Sequence, residues 1–92
     1  MNGQKIAIES LAMDLKRVAL GLQRGSTDMA KRFQEEGLAR TDEITNQGFS
    51  DDHLRRLVHG AQSTLTSTDE RVAEDALMYS TLFQNFAQKK FS

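Results

Sequence analysis

Cysteine, proline and tryptophan are all missing from the 92-residue chain, and the cysteine gap alone closes off several kinds of protein. Without cysteine there is no disulfide scaffold, thiolate zinc site, iron–sulfur cluster or cysteine nucleophile. A thiol-free composition also fits a reducing cytosol. Long apolar runs are missing too, with nothing approaching the roughly 18 residues that a membrane span requires. The opening Met1-Asn2-Gly3-Gln4-Lys5 leads into a stretch broken by Glu9, Asp14, Lys16 and Arg17. That pattern lacks the apolar core of a secretory leader, so a cytoplasmic protein without membrane attachment is expected. Neither charge is in excess. Twelve basic and thirteen acidic residues leave a net −1, which argues against a generally basic nucleic-acid binder and against an acidic solvating tail.

Chemistry-bearing motifs are equally scarce. His53 and His59 stand six apart, which matches neither helical ligand spacing, and no Glu-x-x-His occurs. Gly21, Gly25 and Gly37 lack phosphate-loop spacing. No Gly-x-Ser-x-Gly elbow is present. Adjacent carboxylates such as Glu35-Glu36 diverge by about 100° on a helix and do not converge on one substrate. The expectation is a protein that is not an enzyme and needs no metal or cofactor.

What is present is helical periodicity. Ile8, Leu11, Leu15, Val18 and Leu22 recur at spacings of 3 and 4 and predict a helix from Gln4 to Arg24, with Gly25 as its stop. Ser26 or Thr27 can cap a second helix to about Asn46, whose apolar face (Met29, Phe33, Gly37, Ile44) is thin. Ser50 is placed to cap a third, lined by Leu54, Leu57, Val58, Ala61 and Leu65, which should fray in the hydroxyl-rich run Ser63 to Thr68. Ser67 and Glu70 have capping-box spacing for a fourth, lined by Val72, Ala76, Tyr79, Phe83 and Phe86. The fold class is therefore all-α: one domain over residues 1–92, an antiparallel bundle of about four helices joined by short turns.

Helix 1 carries a second apolar stripe. Ile6, Met13 and Leu20 are seven apart and point away from the main one, so they are either covered within the bundle or offered to a partner or a second copy. Lys16, Arg17 and Arg24 flank them. From Lys16 to Arg32 five basic residues meet one acidic, a balance of +4; from Phe33 to Asp52 six acidic meet one basic, a balance of −5. Helix dipoles and ordinary solvated surface account for part of this segregation. The remainder marks Met13, Lys16, Arg17, Leu20, Arg24, Lys31 and Arg32 as the candidate partner-binding set. A rival reading makes the third helix a DNA-recognition helix through Arg55, Arg56 and Gln62. Asp51 and Asp52 at its groove-facing end oppose that, and can pair with the two arginines instead.

Two stretches, Ile6 to Gly21 (IAIESLAMDLKRVALG) and Glu74 to Ala87 (EDALMYSTLFQNFA), resemble small helical proteins carried by bacterial phages and integrating elements. Cysteine-poor inhibitors of host machinery, anti-CRISPR proteins among them, recur in that group. The resemblance implies a protein that blocks a host protein or nucleoprotein complex by occupying its surface. The group shares no catalytic residues and no common fold, so it assigns no role to any single position.

Overall fold

The computed structural model describes residues 2–91, which form four helices: α1 (Gly3–Gln23), α2 (Thr27–Gln47), α3 (Asp52–Thr66) and α4 (Val72–Phe91). Most boundaries follow from local chemistry, although the Ser26 side chain, at the N-cap of α2, makes no capping bond. Asn2 caps α1, its Oδ1 accepting from the backbone N–H groups of Gln4 (3.0 Å) and Lys5 (3.2 Å). At the other end Gly25 takes φ +72°. The N–H of Ser26 donates to the Gly21 carbonyl (2.8 Å) and that of Gly25 to Leu22 (3.2 Å), the paired bonds of a Schellman turn. Gly48, at φ +86°, ends α2.

Three local expectations are corrected. The cap of α3 is Asp51 rather than Ser50, its Oδ1 accepting from the Leu54 N–H at 2.8 Å. An ionised carboxylate is the stronger acceptor for that N–H, and its other oxygen lies 3.8 Å from Lys90 Nζ. The hydroxyl run does not fray α3, which continues to Thr66. Thr64 and Leu65 are buried, and the Thr66 hydroxyl donates back to the carbonyls of Gln62 and Ser63. Packing outweighs propensity there. Finally, Ser67 and Glu70 form no capping box. The Ser67 hydroxyl accepts from the Asp69 N–H and the Asp69 carboxylate from that of Arg71, two successive local turns that delay α4 to Val72.

The helices alternate in direction. Gln4 Nε2 donates to the Gly48 carbonyl while Gly21 lies against Ala30, so α1 and α2 are antiparallel. Gln62 reaching Thr41, with Leu65 against Gly37, sets α2 and α3 the same way. His53 against Phe86, and Gly60 against Tyr79, do so for α3 and α4. The circuit closes where the Ser80 hydroxyl donates to the Ala12 carbonyl at 2.7 Å, buried between α4 and α1. The result is an up-down-up-down four-helix bundle.

Its core is Ile8, Leu11, Leu15 and Val18 of α1, Ile44 of α2, Leu54 and Val58 of α3 and Phe83 of α4, all fully buried. Leu22, placed by periodicity on the same stripe, is exposed in the last turn of α1. Of the thin face expected for α2, Gly37 and Ile44 are buried while Met29 and Phe33 are only half-buried, and Ala30 and Thr41 complete what the helix buries. Small residues let α2 sit close: a Cβ on Gly21 would stand 2.8 Å from the Ala30 nitrogen. Among the described residues no helix is long and apolar enough to cross a membrane.

Candidate binding surface

The buried stripe of α1 turns its opposite side to solvent. Ile6 is 47% and Met13 43% exposed, and Leu20 is half-buried. Helix 1 is thus packed between α2 and α4 and still leaves Ile6 and Met13 uncovered on this side, besides Leu22 in its last turn. Arg17 and Arg24 follow Met13 and Leu20 at helical spacing on the same side. Lys16 is exposed on the flank nearer α4.

On that flank Met13 and Glu9 line a shallow depression with Gln84 and Gln88. Leu77, 44% exposed, precedes Gln84 by seven residues and therefore lies on the same side of α4 as that depression. Sequence periodicity alone had not marked Leu77. The signal was the antiparallel pairing with α1, which a single sequence does not display.

On the other flank the Arg17 guanidinium lies 5.1 Å from the centre of the Phe33 ring, and that of Arg32 5.4 Å from the same ring. Phe33 is half-buried and links the cations of α1 to those of α2. Arg32 Nε also meets Glu36 Oε1 at 3.5 Å. Lys16, Arg17, Arg24 and Lys31 make no ion pair among the described residues.

Lys31 does not join this group. It lines a separate depression of about 450 Å³ with Leu22, Ala30, Gln34 and the α3–α4 connection. Six of the seven candidate residues thus share one side of the molecule and the seventh faces another.

Beneath the strip lies Asp14, a residue that periodicity alone could have marked, because it falls three after Leu11 and four before Val18. It is buried, and its Oδ2 has no hydrogen-bond partner. Burial pushes its carboxyl above the ordinary value of 3.8, and the carboxylate of Glu36 adds to the shift. Arg40 and Arg17 oppose it without reversing it. Arg40 Nη1 is turned to Glu43 (3.0 Å) and Arg17 to Phe33, which leaves the buried oxygen unmet.

The rival DNA-reading set is arranged differently. Arg55 pairs with Asp52 at 2.6 Å, one residue closer in sequence than the i, i+4 spacing expected. Arg56 is exposed, but Gln62 is half-buried and donates to the Thr41 hydroxyl (3.3 Å), facing α2. His53 stacks near Phe86 and His59 meets Phe49 edge-on. No cluster of three or more metal-ligating side chains occurs among the described residues.

The fold and surface define a class, a small all-α four-helix protein with an apolar strip rimmed by cations on one side. Comparison with protein families, with curated proteins and with solved structures finds no match to this chain.

Proposed function

We propose that this chain is a protein-binding module that acts by occupying a surface of its partner and performs no catalysis. One observation carries the reading: Ile6 and Met13 stay exposed on the best-packed helix, beside Lys16 and Arg24, which make no ion pair among the described residues. Exposed apolar side chains rimmed by polar ones are the composition of a docking surface. The specific form we favour is an inhibitor from a phage or mobile element that docks in the cytoplasm on a host protein or nucleoprotein complex. The resemblance of the α1 and α4 stretches supports that form. The inward-facing Gln62 and the Arg55–Asp52 pair weigh against a DNA-reading regulator.

The test compares tagged wild type with Met13→Glu on a bacterial lysate, with light scattering for self-association. The expected result is a defined host complex held by wild type and lost by the variant, with unchanged helicity and cooperative unfolding. Retention by both proteins would reject the surface. A wild type that only pairs with itself would make the strip a self-association face.

A further inference from the structure

We infer that Arg17 and Arg32, gathered on the ring of Phe33, are the element of the docking face that reads carboxylates, and that the face takes an acidic protein segment carrying apolar side chains. The inference rests on the docking reading and names the partner's chemistry.

Three observations carry it. Two guanidinium groups from different helices lie over one ring, at 5.1 and 5.4 Å, in the same part of the surface as Met13 and Leu20. A guanidinium held near a ring by its charge keeps N–H groups free to donate, and it offers them in the fork geometry that fits a carboxylate. Those N–H groups are largely unspent: among the described residues Arg17 has no ion pair, and Arg32 meets Glu36 through Nε, leaving both terminal nitrogens.

Charge then selects the kind of anion. Between Leu15 and Arg24 the chain carries Lys16 and Arg17 in α1, Arg24 at its C-cap and no acidic residue, which complements a negative partner. Glu36 beside Arg32 interrupts the cations of this surface and makes it a poor track for continuous phosphates. A nucleic-acid backbone also offers nothing to Ile6, Met13 or Leu20. Separate carboxylates between apolar side chains satisfy both parts of the face.

The experiment follows the arginine side-chain Nε–Hε signals of the ¹⁵N-labelled full chain. The probe is a short capped peptide of glutamate and leucine. Controls are the same peptide with glutamine for glutamate and a single-stranded oligonucleotide. The Arg17 and Arg32 signals should move saturably with the glutamate peptide, less as salt rises, and not with the glutamine peptide. The R17K/R32K double variant keeps the charge but loses fork and stacking, and should weaken binding about tenfold with an unchanged unfolding temperature. No movement in wild type, equal binding of the glutamine peptide, tighter binding of the oligonucleotide at these arginines, or unchanged affinity of R17K/R32K would each overturn the inference. Met13→Glu keeps the two readings apart. Loss of peptide binding in Met13→Glu but not in R17K/R32K retains the docking face and rejects its carboxylate reader, and the reverse pattern rejects the docking strip alone.

Discussion

Asp14 and Gly37 meet across the α1–α2 contact: a Cβ on the glycine would stand 3.7 Å from the Cβ of the buried acid, whose Oδ2 has no partner. Burial, with Glu36 adding, places the folded-state pKa of Asp14 above its unfolded value. The native state therefore holds this proton more tightly. Its stabilising contribution is full below the unfolded pKa, near 3.8, and is lost as pH rises through the raised folded value. Thermal unfolding of the wild type should show this component rising as pH falls from neutral towards the carboxylate range. Asp14→Asn should remove it and raise stability at pH 7 by about 1 kcal/mol, the scale of relieving a buried unmet charge. A variant with wild-type pH dependence would refute the assignment.

Two helical glycines should respond differently to alanine. At Gly21 a Cβ would sit 2.8 Å from the Ala30 backbone nitrogen and 3.1 Å from its Cα, atoms that cannot yield without moving α2. Gly21→Ala should cost about 2 kcal/mol despite its better helix propensity. At Gly37 the nearest atoms are the ends of the Leu65 side chain, at 3.0 and 3.3 Å, which can shift. Gly37→Ala should therefore fall within about 1 kcal/mol of wild type, the gain from propensity offsetting the crowding. Denaturant unfolding of the two variants measures the contrast.

The divide between what the sequence disclosed and what it withheld is physical. Spacings of 3 and 4 mark which side of each helix is apolar, so Ile8, Leu11, Leu15, Val18, Leu54, Val58 and Phe83 were readable as core. The second stripe of α1 was readable too, but not its exposure, because that depends on what packs alongside. Caps depend on which of two neighbouring acceptors finds further support. Asp51 rather than Ser50 accepts from the Leu54 N–H, and its other oxygen lies 3.8 Å from Lys90, nearly forty positions away in sequence. The same holds for Phe33, whose period assigns it to an apolar face while two arginines make it part of the surface.

That account of the α3 cap can be measured. Asp51→Ala removes the bond to the Leu54 N–H and should cost about 1 kcal/mol, whereas Ser50→Ala should leave the unfolding midpoint nearly unchanged. The opposite order would return the cap to Ser50.

Ser80 tests the seam between α4 and α1. Its hydroxyl is buried and donates to the Ala12 carbonyl 68 residues away, at 2.7 Å. Ser80→Ala deletes the donor while the carbonyl keeps its place in α1, so a loss of about 1 kcal/mol is expected. Stability unchanged within a few tenths would mean that the bond contributes nothing net.

The extent of the docking strip is decided on α4, by two adjacent residues of almost equal exposure, Leu77 (44%) and Met78 (48%). They point about 100° apart. Leu77 lies seven residues before Gln84, which shares a depression with Met13. Met78 lies seven before Asn85, which lines a different depression with His53 and Lys89 beside α3. On the proposed docking reading, a partner seated on Ile6, Met13 and Leu20 is expected to reach Leu77 and pass Met78 by. Leu77→Glu should cost about 2 kcal/mol of binding, roughly thirtyfold in affinity, as a charge buried in an apolar contact would. Met78→Glu should bind as wild type does, and both should unfold at wild-type temperatures because neither side chain is in the core. Titration of the partner against the two variants gives the answer: equal losses would spread the surface around α4, and loss from Met78→Glu alone would move it to the α3 side.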